Sequence, residues 1–139
     1  MIRFVLDASV ALSWFLDHPV PHYASQVKRA LLERSRAVVP ALWHLEMANG
    51  LAVAERRGIL AAPDVDQALI YVQQLLGQAI ESEVDFFPFR QALATARTFV
   101  LSAYDATYLE TARKRGLPLA TLDKRLRAAA ARAGVELVR

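Results

Sequence analysis

Cysteine is absent from the 139 residues. Its absence excludes a disulfide scaffold, thiolate-held zinc, iron–sulfur clusters and thiol catalysis, and it suits a reducing compartment. Histidine is scarce, with three copies. His18 and His22 stand four apart, but Pro19 and Pro21 break the helix that a paired metal site would need, and His44 reads as structural or exposed. No uncharged run approaches the roughly 20 apolar residues that span a bilayer. Arg3 followed by Phe4-Val5-Leu6 has the look of a signal-peptide start, but Asp7 interrupts it and no cleavage pattern follows. A cytoplasmic chain without a membrane partner is the expectation. At 55% hydrophobic residues, and with no low-complexity tract, the sequence is too apolar for disorder. Its length fits one domain over residues 1–139.

The net charge of +3 is small for a nucleic-acid binder, yet it is unevenly spread. Residues 113–139 carry eight Lys and Arg against two acids, and the preceding 112 carry nine against twelve. A basic end and a more acidic body suit a polyanion held against an acidic centre; a solvated basic helix face would look the same.

Short β-rich runs alternate with helical patterns. Residues 2–6, 37–39, 82–86, 118–121 and 135–138 read as strands. Helices are expected behind Ser9, over 23–34 and over 41–57 ahead of Gly58. Others run from Pro63 to Leu76 with Gly77 as the stop, from Pro88, from Ser102 to Gly116, and from Asp123 to Gly134. The pattern predicts an α/β fold, a central and mostly parallel β-sheet flanked by α-helices. In such sheets ligands collect beyond the carboxyl ends of the strands. Asp7 directly follows the first strand and Asp123 lies two residues past Thr121, so the two carboxylates are expected on one rim.

Each acid has an ordinary explanation on its own. Asp7 or Ser9 caps the first helix, Ser102-x-x-Asp105 is close to a capping box, Asp123 caps the last helix and Glu46 is a solvated helix residue. Against this, Asp105, Tyr108, Leu109 and Ala112 share one helical stripe, which turns a carboxylate toward the core. Glu46 shares its face with Leu42, Asn49 and Val53. Clustered carboxylates repel one another, and a hard divalent cation relieves them; oxygen donors without His or Cys suit Mg²⁺ or Mn²⁺. Ser9 and Thr121, each two residues from an acid, are supporting hydroxyls.

Val-Leu-Asp7-Ala-Ser9-Val, Glu46, Tyr104-Asp105-Ala-Thr-Tyr-Leu and Ala-Thr121-Leu-Asp123-Lys-Arg-Leu together resemble the acidic motifs of PIN-domain nucleases. In length and spacing they look most like the VapC toxins of toxin–antitoxin pairs. The resemblance implies a PIN-like fold, Mg²⁺- or Mn²⁺-dependent endoribonuclease activity on a structured RNA such as tRNA or rRNA, a homodimer, and a VapB-type antitoxin as partner. Carried over by position, it makes Asp7, Glu46, Asp105 and Asp123 the catalytic and metal-binding acids. Asp7 and Asp105 would be direct ligands; Glu46 and Asp123 would act through water, at a second metal, or in orienting the attacking water. Some members carry a further acid where Lys124 and Arg125 stand here, which argues against a complete second metal site.

Arg113, Lys114, Arg115, Lys124, Arg125 and Arg127 are the candidates for gripping the RNA backbone. Trp14, Tyr104 and Tyr108 are candidates for stacking on bases, with core packing favoured for Trp14. The apolar helices around residues 23–32 and 41–54 are candidates for the dimer contact. Two rival readings stand beside the nuclease. One is a non-catalytic interaction module. The other is a haloacid-dehalogenase-type phosphotransfer enzyme, whose usual second Asp is replaced by Ser9.

Overall fold

The computed structural model describes residues 2–139. Four strands, β1 (Arg3–Leu6), β2 (Arg36–Val39), β3 (Ile80–Ser82) and β4 (Leu119–Ala120), form one sheet in the order β3-β2-β1-β4. Every pairing is parallel: Phe4 sits opposite Ala37, Leu6 opposite Ala120, and Val38 opposite Glu81. The central strands are continuous apolar runs because both faces are covered, and Phe4, Val5, Leu6, Ala37, Val38 and Val39 have no exposed surface. Among the described residues, seven helices flank the sheet: α1 (Ala8–Leu16), α2 (His22–Glu33), α3 (Leu42–Arg56), α4 (Ala62–Gln78), α5 (Phe89–Phe99), α6 (Ala103–Arg115) and α7 (Lys124–Ala133). Among the described residues, no helix is long and apolar enough to cross a membrane.

The α/β architecture is as expected, with four local corrections. The first helix begins at Ala8 behind Asp7, not behind Ser9; the Ser9 hydroxyl turns back to the Asp7 carboxylate instead. Helix α4 passes through Gly77 to Gln78, because Leu75, Ala79 and Ile80 continue the buried apolar surface across the glycine. The third strand therefore lies at Ile80–Ser82 rather than 82–86. Ile80 reaches the core, Val84 and Phe86 stand in solvent, and the ladder stops where the Glu83 N–H donates to the Val39 carbonyl. Residues 135–138 contribute one bridge, Leu119 to Leu137, instead of a strand.

Strand order reverses between β1 and β4: β2 and β3 extend to one side of β1, and β4 lies on the other. The crevice beyond the carboxyl ends of β1 and β4 is the switch point at which such sheets hold ligands. Asp7 and Thr121 are the residues that leave the sheet there.

Candidate active site

Asp7 is buried at the end of β1 and its backbone N–H donates to the Ala120 carbonyl of β4. Its side chain makes no cap bond to α1. The hydroxyls of Ser9 and Thr121 both donate to Asp7 Oδ2, at 2.6 and 2.7 Å. Thr121 Oγ1 also accepts from the Asp123 N–H at 3.0 Å, and Ser9 Oγ accepts from the Leu122 N–H at 3.1 Å. One small network thus ties the end of β1 to the loop behind β4. Asp123 caps α7, its Oδ1 accepting from the Leu126 N–H at 2.9 Å.

Helix α6 brings Asp105 to this rim. Ser102 Oγ accepts from the Asp105 N–H at 3.0 Å, while the reciprocal side-chain bond of a capping box is not made among the described residues, so the Asp105 carboxylate is left for other work. Helix α3 brings Glu46, whose Oε1 accepts a 2.5 Å hydrogen bond from the hydroxyl of Tyr108. Tyr108 lies one turn beyond Asp105 on α6 and is fully buried. It therefore acts as a positioning donor for Glu46 instead of a base-stacking ring. Its role was not legible in the sequence, although its place on the buried stripe beside Asp105 was. Trp14 is likewise part of the core, with Nε1 donating to the Ala24 carbonyl.

The four acids act on one another electrostatically. Burial pushes the Asp7 carboxyl above the usual carboxylate range, with the charge of Asp123 adding to the shift and the two hydroxyls opposing it. Glu46 is raised by burial and by the charges of Asp7 and Asp105, against the Tyr108 bond. Asp105 is pushed up to about 6 by burial and then by Asp7 and Asp123. Tyr108, buried beside Asp7 and Glu46, is raised as well. The ion pairs among the described residues join Arg3, Arg113 and Arg115 to Glu81, Glu83 and Glu110, and none reaches these four acids.

A cluster of mutually repelling, partly buried carboxylates without a basic partner suits a hard divalent cation such as Mg²⁺ or Mn²⁺. With the side chains as they lie, no three His, Asp or Glu among the described residues converge tightly enough to hold one. The donor chemistry of the four carboxylates fits such a cation.

The basic candidates divide into two groups, at opposite ends of β4. Arg113 pairs with Glu110 at 2.9 Å, Arg115 with Glu83 at 2.7 Å and with Glu81 at 3.3 Å, and the Lys114 ammonium lies 5.9 Å from the centre of the Phe87 ring. These three end α6, roughly 12–15 Å along the helix from Asp105. Arg127 donates to the Thr121 carbonyl at 2.7 Å and lies over the Tyr23 ring, so it braces the loop behind β4. Lys124 and Arg125 begin α7 beside Asp123 and are exposed.

The fold resembles several solved structures. One is PAE2754 from Pyrobaculum aerophilum, with a TM-score of 0.70 and 21% identity over 92% of this chain and 84% of that one. A second is FitAcB from Neisseria gonorrhoeae, with 0.65 and 20% over 98% and 96%. A third is a domain of a functionally unknown protein from Methanocaldococcus jannaschii, with 0.57 and 17% over 99% and 90%. No curated protein matches the sequence. The family model of the PIN domain, however, matches residues 4–132. The chain belongs to the PIN-domain family, whose members are generally nucleases that use divalent metal ions.

Proposed function

We propose that this PIN domain is a Mg²⁺- or Mn²⁺-dependent endoribonuclease of the VapC type, the toxin of a toxin–antitoxin pair. The observation that carries the reading is the gathering of Asp7, Glu46, Asp105 and Asp123 at the switch point of the sheet, acting on one another electrostatically and, among the described residues, in no ion pair. The motif resemblance supports the finer assignment: a cytoplasmic homodimer, a structured RNA such as tRNA or rRNA as substrate, and a VapB-type antitoxin as partner.

Asp7 and Asp105 would hold the cation directly, with Glu46 and Asp123 reaching it through water. When bound, the cation supplies a lowered pKa for water and positive charge against the phosphodiester. Ser9 and Thr121 hold the Asp7 carboxylate in one orientation. Tyr108 does the same for Glu46, which leaves its second oxygen to accept a proton from an attacking water. Without a cation between them the four carboxylates repel an incoming phosphate, so activity depends strictly on added metal. Lys124 and Arg125, exposed next to Asp123, are the side chains best placed to grip flanking phosphates.

Purified protein is incubated with total RNA and Mg²⁺ or Mn²⁺ beside an Asp7→Asn control, and the new ends are mapped. Discrete cuts that require metal, and that fall by more than about 100-fold in the variant, support the reading. Folded, antitoxin-free protein that leaves RNA intact with both metals would overturn it in favour of a non-catalytic module.

A further inference from the structure

A groove of about 530 Å³ runs beside the acids between α3 and the start of α6. Leu42, Leu45 and Asn49 form one wall, and Phe86 with Tyr104 forms the other. Glu46 belongs both to this groove and to the acid cluster, and Tyr104 directly precedes Asp105, so the groove is continuous with the reaction centre. Tyr104 is 66% exposed and Phe86 64%. Of the three aromatic residues considered as base-stacking platforms, Tyr104 is the one left in solvent; Trp14 and Tyr108 are in the core.

We infer that this groove takes an unpaired nucleobase next to the scissile phosphate, stacked on Tyr104 and Phe86, with Asn49 reading its edge. The inference rests on the ribonuclease reading and names the local form of its substrate. Three features select a base over other occupants. No Lys or Arg lines the groove and Glu46 does, so a phosphate is repelled while a neutral planar group is not. Exposed aromatic faces are what a splayed-out base stacks upon, as single-stranded RNA recognition requires. The exposed Asn49 carboxamide offers one acceptor and two donors, the complement of a base edge. The enzyme would then cut within loops or bulges of a structured RNA, since a paired base cannot enter.

The test has a binding arm and a cleavage arm. In the first, full-length Asp7→Asn protein, which binds without cutting, is titrated with short single-stranded RNAs carrying 2-aminopurine at successive positions. Fluorescence is expected to be quenched several-fold at one position, and the quenching to be lost when Tyr104→Ala is added. In the second, Tyr104→Ala and Phe86→Ala raise KM on single-stranded RNA about tenfold with kcat nearly kept, as loss of a stacking contact does. Asn49→Ala flattens the base preference at that position, and fully paired RNA is left uncut by wild type and by all three variants. Both aromatic side chains are exposed, so these substitutions leave the fold in place. Metal-dependent cutting that is indifferent to Tyr104, Phe86 and Asn49 would overturn the base site, freeing the groove for a protein helix, while leaving the nuclease intact. Tyr104-dependent quenching in a protein that never cuts RNA would keep the base site and sink the nuclease.

Discussion

Two side chains at the rim make opposite contributions to stability and chemistry. Tyr108 donates to Glu46 from within the core, and that bond holds down a carboxyl that burial and its acidic neighbours push up. Tyr108→Phe keeps the ring and removes the donor. The Glu46 pKa then rises further, and the acid limb of the pH–rate profile moves to higher pH. Cleavage falls about tenfold at the acid end and recovers toward alkaline pH, at a stability loss of about 1 kcal/mol; an unmoved limb would remove Tyr108 from this role. Asp105 works against the fold in the absence of metal. Its carboxyl is raised from 3.8 to about 6, so between those values the folded state holds a proton that the unfolded chain has released. Stability from this group is therefore present at low pH and lost as pH rises through about 6. In chelator-treated protein, Asp105→Asn should match wild type near the low end of that window and exceed its Tm by about 2 °C above it, a modest figure because the group is only partly buried. Mn²⁺ at neutral pH should raise the wild-type Tm and leave the variant almost unmoved. A difference that is flat with pH would refute this account.

Among the helices, α5 and α6 are joined by a buried polar clamp. Glu110 accepts from Thr95 at 2.9 Å, from Gln91 at 3.2 Å and from Arg113 at 2.9 Å. Glu110→Ala strands the buried Thr95 hydroxyl together with two further donors, so denaturant unfolding should report a loss of about 2 kcal/mol, whereas Glu110→Gln keeps part of the network and loses less. The clamp was invisible in the sequence because Thr95 and Glu110 lie on different helices, and no local pattern encodes a contact between them. What the sequence did show is what period and punctuation encode. The apolar runs of β1 and β2, the Ser102 cap on α6, and the left-handed Gly116 and Gly134 behind α6 and α7 all sit where local chemistry puts them. Gly77 misled because a glycine marks a helix end only when the buried surface also ends, and Leu75, Ala79 and Ile80 carry that surface on. The run 82–86 misled because alternating acids look like an edge strand, whereas Glu81 and Glu83 are fixed by Arg3 and Arg115 at the point where the ladder stops. The four acids were legible as strand-end and helix residues. The hydroxyl pair on Asp7 was legible as spacing, and the Tyr108 bond required the fold.

Across the whole molecule, the basic C-terminal end does not fold into one patch. β4 separates Arg113, Lys114 and Arg115 from Lys124 and Arg125, and only the second group stands at the rim with the acids. Arg115 is bound to Glu81 and Glu83, and Arg127 to the Thr121 carbonyl, so their charges are already spent in holding the fold. Lys124 and Arg125 occupy the first turn of α7, where the helix dipole disfavours cations and where an acid would suit stability better. A residue pair placed against its own helix is better explained by what it binds. Replacing both by Ala should therefore raise stability slightly, by about 0.5 kcal/mol, while weakening RNA. Each lost contact to a single-stranded phosphate removes about 0.7 from the slope of log K against log salt, so the double variant should flatten that slope by about 1.4. Arg115→Ala should do the reverse, lowering Tm because Glu83 loses its partner and Glu81 keeps only Arg3, with the salt slope nearly unchanged. Affinity measured at several salt concentrations for the two variants separates the assignments. If Arg115→Ala flattened the slope and the Lys124 and Arg125 replacement did not, the RNA would run past the far end of α6, roughly 12–15 Å along the helix from Asp105, and the rim would not be where its backbone is held.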